Sequence, residues 1–199
     1  MVVLEEKTEH ANIAPLQLVA LGANVSITGR SLERTLSSAI KAIAEHGFVI
    51  RAVSRFYRTP CFPSGAGPDY INAALALQSG WSAAETLVHL HRIEADFGRE
   101  RVQRWGQRTL DLDLIAMGDV VLPDVQTQTD WREIPLEQQM VSAPDQLILP
   151  HPRLQDRAFV LVPLADIAPD WCHPLIGKTV REMLNDLPEA DKKGVWPLE

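Results

Sequence analysis

Arg99 to Gly118, RERVQRWGQRTLDLDLIAMG, divides into two unlike halves. The first carries four arginines in ten residues (Arg99, Arg101, Arg104 and Arg108) around a lone Trp105. The second, Thr109 to Met117, interleaves Leu110, Leu112 and Leu114 with Asp111 and Asp113. Alternation with a period of two predicts a half-buried strand. Its leucines face a core, and its two carboxylates share the other face with Cα atoms roughly 7 Å apart. Aspartate is a poor strand former, and like charges at that spacing repel unless a cation lies between them. Hard divalent ions take oxygen ligands, and Mg2+ held by one or two carboxylates together with substrate phosphates is the closest fit. The neighbouring arginines then supply an anion clamp for those phosphates.

Each half has an ordinary explanation by itself. Paired aspartates on the wet face of an antiparallel strand are common, and clustered arginines usually solubilise a surface. Their juxtaposition is rarer. The chain has 19 lysines and arginines, yet every one of them between Lys41 and Lys178 is an arginine, the residue suited to bidentate phosphate recognition. A Mg-nucleotide or polyphosphate site is the expectation.

Upstream, Leu16–Leu21 is an apolar run ending at Gly22 and reads as a buried strand. Ser31 to His46 places Leu32, Leu36, Ala39, Ile40 and Ile43 at helical spacing, with Gly47 beyond the end. No P-loop pattern occurs, so phosphate binding falls to other residues. Phe48–Tyr57 reads as a second strand, and Arg58–Pro68 as a surface loop rich in proline and glycine. Asp69–Gln78 alternates again, with Ile71, Ala73, Leu75 and Leu77 on one face and Tyr70, Asn72, Ala74 and Ala76 on the other. Tyr70 can stack on a flat heterocycle while Asn72 hydrogen-bonds its edge. Ser82 and Glu85 form a capping box opening a helix to Phe97, with Leu87, Leu90, Ile93 and Phe97 as its buried stripe. The order strand, helix, strand, strand, helix, strand predicts an α+β chain with a ferredoxin-like βαββαβ antiparallel sheet, helices on one face, and C-terminal additions. Asp111 and Asp113 then occupy the open face.

RWGQRTLDLDLI resembles the signature R-W-G-P-R-T-L-D-L-D of the 6-hydroxymethyl-7,8-dihydropterin pyrophosphokinase family. The resemblance runs from about Leu18 to Pro169. It includes Gly22-Ala23-Asn24 after the first strand, F-Y-R-T-P at Phe56–Pro60, D-Y-x-N-A at Asp69–Ala73, and Pro150-His151 followed by Arg157, Phe159, Leu161, Pro163 and Leu164. It implies transfer of pyrophosphate from ATP to the hydroxymethyl group of a reduced pterin, with two Mg2+ held by Asp111 and Asp113. It further implies catalytic roles for Arg99, Arg108, Asp111 and Asp113. ATP contacts would come from Glu94, Arg101, Trp105, His151 and Arg157, and pterin contacts from Thr59, Pro60, Tyr70, Asn72 and Phe159. Against the motif, Gln107 stands for proline, and Pro123–Leu147 reads as an irregular insertion, about 123–147, in a single domain over 15–187. Val120 and Val121 are expected to start a short strand, Val180, Met183, Leu184 and Leu187 a short helix, and 1–14 and 188–199 to be tails.

The net charge of −7 argues against a general nucleic-acid or membrane binder. No apolar run approaches the ~20 residues that span a bilayer. Cys61 and Cys172 are too few for a disulfide framework and lack metal-ligand spacing. The expectation is a cytoplasmic enzyme with ATP and a reduced pterin as its only partners. The competing class is a non-catalytic pterin or nucleotide sensor, which the retained carboxylates and arginines disfavour.

Overall fold

β1 (Gln17–Ala23) lies between two antiparallel partners, β4 (Tyr70–Gln78) and β5 (Asp111–Met117). The computed structural model describes residues 14–26, 29–61, 67–98, 108–135, 138 and 142–199. β2 (Val49–Val53) pairs with the end of β4, and β3 (Tyr57–Thr59) with its beginning. The single strand expected over Phe48–Tyr57 is thus split. At the break, the Ser54 hydroxyl accepts the Ala74 N–H (2.8 Å) while the Ser54 N–H donates to the Ala74 carbonyl (3.0 Å). A side chain replaces one backbone acceptor, which keeps the edge attached but irregular. The sheet order is β5-β1-β4-β3, with β2 also on β4 and every pairing antiparallel.

α1 (Leu32–Glu45) begins at Ser31, whose hydroxyl accepts the Arg34 N–H. It stops before Gly47, which has φ 94°. A Cβ on Gly47 would also sit 3.4 Å from the Trp81 indole, so glycine serves both the turn and the close ring. α2 (Ala83–Asp96) opens with the reciprocal Ser82–Glu85 capping box. Both helices pack on one face of the sheet, where Leu36, Ile43, Leu90 and Ile93 meet Val19, Leu21, Leu75, Leu77, Leu110 and Leu112. Each such fully buried aliphatic side chain contributes about 1.5–3 kcal/mol.

The region from Pro123 to Leu147, expected to be irregular, contains α3 (Val125–Glu133). Asp124 caps it by accepting the Thr127 N–H (2.9 Å). Only Gln128 of this helix is buried, donating to the Pro150 carbonyl (3.0 Å), so no apolar stripe announces it. Val120 and Val121 start no strand; an isolated bridge joins Leu122 to Leu149 instead.

α4 (Ala158–Ile167) and α5 (Val180–Asp186) cover part of the second face. Val160, Leu161, Leu164, Val180 and Met183 rest on Leu18, Ala74, Ala76, Ile115 and Ala116. The face expected to be open is therefore half covered, because a row of alanines leaves room for an apolar helix. Nor is 188–199 a free tail. It holds α6 (Glu189–Lys192) and β6 (Trp196–Pro197), which pairs with β3, and the Leu198 N–H donates to the Phe56 carbonyl (2.8 Å). The rest of the other expected tail, residues 1–13, lies outside the described residues. Among the described residues, no helix is long and apolar enough to cross a membrane.

Candidate active site

The β1–β5 register slips between Leu18 and Val19, so Ile115 is an extra residue on β5. Before this bulge the strand alternates as its sequence suggests: Leu110, Leu112 and Leu114 enter the α1/α2 core, leaving Asp111 and Asp113 half-buried on the other face. After it, Ile115 and Ala116 both enter the core beneath α4. The bulge also re-aims a carbonyl. The Ile115 C=O accepts the His151 N–H at 2.8 Å, which ties the Pro150–His151 turn to the acidic strand.

One row across the sheet aligns Asp111 with Gly22, Gly22 with Asn72, and Asn72 with Tyr57. Asp113 is aligned with Ala20. Glycine and alanine thus form a low floor between the carboxylates and Asn72. A Cβ on Gly22 would lie 2.5 Å from Asn72 Oδ1. Asn72 Nδ2 donates to Thr59 Oγ1 (2.7 Å), and Thr59 is itself buried and aligned with Tyr70. Pro60 follows at the surface.

Among the described residues, three basic groups gather around the carboxylates. The Arg108 guanidinium pairs directly with Asp111. Burial alone would lower its pKa, but the charges of Asp111 and Asp113 outweigh that and raise it. Arg157, the residue preceding α4, has its pKa lowered by burial and by Arg108, against the opposing pull of Asp113 and Asp111. His151 is pushed down to about 3, by burial first and then by the charges of Arg157 and Arg153. Its imidazole is neutral at pH 7, and Nδ1 accepts the Arg153 N–H (3.1 Å), which assigns the ring proton to Nε2. A neutral N–H donor beside two guanidiniums suits phosphate oxygens. Phe159, on the first turn of α4, is 40% exposed, with the Arg157 guanidinium 5.6 Å from its ring centroid.

Asn24 is a connector that its place in a turn did not announce. Its side-chain carbonyl accepts the Arg108 N–H (2.9 Å), and its Nδ2 donates to the Pro68 carbonyl (3.4 Å). It thus joins the start of the acidic strand to the loop before β4. Glu94, expected among the ATP contacts, is instead 1% exposed between α2 and β5, where it accepts the Leu112 N–H at 2.7 Å. It shares the buried side of its helix with Leu90 and Ile93, the side packed against the sheet. Arg99, Arg101, Trp105 and Gln107 lie outside the described residues.

Among the described residues, no three His, Cys, Asp or Glu side chains gather to hold a metal. Two carboxylates on one strand face are hard oxygen donors for an ion that completes its shell with water and substrate oxygens. That donor set fits Mg2+ better than a metal needing a full protein cage.

A sequence model of the family described as 7,8-dihydro-6-hydroxymethylpterin-pyrophosphokinase (HPPK) matches residues 18–169. A 2-amino-4-hydroxy-6-hydroxymethyldihydropteridine pyrophosphokinase of Synechocystis is 37% identical over 181 residues, covering 91% of this chain and 79% of the relative. The protein of the same name from Pseudomonas aeruginosa is 34% identical over 170 residues, covering 85% and 90%. Among solved structures, a Plasmodium falciparum HPPK-DHPS with pteroate superposes with a TM-score of 0.61 at 15% identity, a likeness of fold. The match covers 92% of this chain and 44% of that longer one. This chain belongs to the 7,8-dihydro-6-hydroxymethylpterin-pyrophosphokinase family.

Proposed function

We infer that this chain transfers the terminal pyrophosphate of ATP to 6-hydroxymethyl-7,8-dihydropterin, releasing AMP and the pterin diphosphate, a step of folate biosynthesis. The observation that carries this reading is the meeting of Asp111 and Asp113 with Arg108, Arg157 and a neutral His151 on one sheet face, beside Asn72. The ferredoxin-like βαββαβ assignment belongs to the same reading. It is supported by the order β5-β1-β4-β3 with α1 and α2 on one face.

In this reading, the pterin hydroxymethyl oxygen forms a bond to the β-phosphorus of ATP. The bond from that phosphorus to the oxygen bridging the α-phosphate breaks, AMP leaves, and the hydroxyl proton is lost. Thr59, Pro60, Tyr70, Asn72 and Phe159 bind the ring, with Asn72 at its polar edge. Arg99 and Arg108 balance charge that spreads over the transferred group, while Arg157 and the Nε2–H of His151 position it. Arg101 and Trp105 are proposed to contact ATP. Asp111 and Asp113 would hold two Mg2+. Such ions supply charge to both the entering and the leaving oxygens of an in-line displacement.

The test is AMP release from Mg-ATP with and without the pterin, for the wild type and Asp113→Ala. Pterin-dependent AMP from the wild type, reduced at least about 100-fold in the variant, is expected. A folded wild type that binds pterin yet releases no AMP points to a sensor. ADP in place of AMP means transfer of one phosphoryl group.

A further inference from the structure

The Asp166 carboxylate, in the last turn of α4, takes four hydrogen bonds from one corner of the sheet. Arg55 donates three: its backbone N–H (3.2 Å) and Nε (3.1 Å) to Oδ2, and Nη2 (2.7 Å) to Oδ1. The Tyr57 hydroxyl donates the fourth to Oδ2 at 2.8 Å. A two-pronged arginine–carboxylate contact is the most geometrically demanding kind of ion pair. It also sits where a carboxylate is unfavourable for the helix alone, because an acidic group near a helix C-terminus opposes the dipole. No basic residue of α4 itself offsets it. The stabilisation comes from across the boundary between helix and sheet.

Both sides of this contact lead to the site. α4 carries Phe159 on its first turn and follows Arg157 directly. β3 carries Thr59, which holds the Asn72 amide, and Tyr57 is the register partner of Asn72. Between them, α4 packs in one cluster with Ala74, Ala76 and Ala116, together with Leu18 and Ile115. Where that floor is alanine, its methyl groups offer few ridges to stop a helix sliding along its axis. The apolar contact fixes which side of α4 faces down. The polar contact at its end fixes how far along it stands.

We propose that Asp166, gripped by Arg55 and Tyr57, is a positioning residue that sets the gap between Phe159 on α4 and the Thr59–Asn72 pair on the sheet, and thereby the affinity for the pterin ring. The identity of the ring rests on the pyrophosphokinase reading; the grip itself does not.

The experiment compares wild type, Asp166→Asn, Tyr57→Phe and the exchanged pair Arg55→Asp with Asp166→Arg. Three quantities are read on each: the Kd for 6-hydroxymethylpterin by its fluorescence, the steady-state kcat and KM for AMP release, and the thermal midpoint. Asp166→Asn is expected to raise the pterin Kd and KM about tenfold while kcat changes less than about threefold, the mark of lost binding. The exchanged pair is expected to recover most of that loss, since the two changes couple. A lower midpoint with wild-type Kd, KM and kcat in Asp166→Asn overturns the proposal and leaves a contact that only stabilises. Should Asp166→Asn fail to fold, Tyr57→Phe removes one bond of the four. A pterin KM raised about threefold then supports the proposal, and an unchanged KM overturns it. A wild type that binds pterin without releasing AMP refutes the transfer reading alone, and the Kd comparison still decides the positioning role. A wild type that does not bind pterin overturns both.

Discussion

Gly22 stands between Asp111 and Asn72 in the same row of the sheet, and its missing side chain is what keeps the floor of the site low. The 2.5 Å approach of a Cβ to Asn72 Oδ1 is too close to be absorbed without moving the amide. The amide is held by Thr59 Oγ1 at 2.7 Å, so movement means losing that bond. Gly22→Ala is expected to lower stability by about 1–2 kcal/mol through overpacking and a broken hydrogen bond. The same change should weaken pterin binding about tenfold. Calorimetric titration with the pterin, paired with a thermal melt, checks both; wild-type affinity in the variant would show that the floor is not part of the ring pocket. Asn24 makes a related point about connection. Its side chain links Arg108 to Pro68, residues that belong to different segments.

β5 carries both carboxylates, and the structure attaches it on two sides. β1 takes one edge of the strand, while the Glu94 carboxylate takes the Leu112 N–H and the His151 N–H takes the Ile115 carbonyl. Glu94 lies next to Ile93 in the buried side of α2, so the helix that fills the core also steadies the acidic strand from within. Glu94→Ala is expected to cost about 2–3 kcal/mol, the range for a hydrogen bond to a charged group whose partner is then left buried. Glu94→Gln, which keeps an acceptor, should lose less than about half as much. Urea midpoints measured at pH 7 distinguish the two; equal losses would mean that Glu94 acts through its charge and not through Leu112. The C-terminal strand has a comparable place on the opposite edge. β6 and the Leu198 N–H pair with β3 and Phe56, beside the strand that carries Thr59.

For the molecule as a whole, two imidazoles link stability to acidity. His173 is fully buried and pushed down to about 4, by burial first and then by the charge of Arg132 on α3; its Nδ1 accepts the N–H groups of Leu175 and Ile176. His151 is pushed further, to about 3. Free imidazoles take up protons near pH 6.5. Between about 6.5 and these lower values the unfolded chain binds more protons than the folded one, so stability is complete above that window and falls as pH drops through it. Urea unfolding is expected to show a midpoint that declines steadily from pH 7 to pH 4.5. His173→Asn, whose side-chain carbonyl can still accept the two N–H groups, should be less stable at pH 7 but show a shallower decline. A decline as steep as that of the wild type would assign the acid sensitivity to other groups. The Arg132 contribution also places α3 near the turn that holds His173.

Much of this was legible in local pattern. The alternation of Leu110 to Leu114 with the two aspartates, the alternation in β4, and the Ser82–Glu85 box each specify an element from neighbouring residues alone, because backbone geometry repeats every two or 3.6 residues. The motif around Arg108, Asp111 and Asp113 likewise pointed to the family. Other features depend on contacts between residues far apart in sequence. The sheet half covered by α4 follows from the alanine row it rests on. α3 has no apolar stripe, and Asp124 and Gln128 define it only through a cap and a distant carbonyl. The inward turn of Glu94, the bulge at Ile115 that seats His151, and the Arg55–Tyr57–Asp166 grip are decided in the same way. Side-chain hydrogen bonds across elements leave no period in a sequence, so these positions become visible only when the packed chain brings the partners within reach.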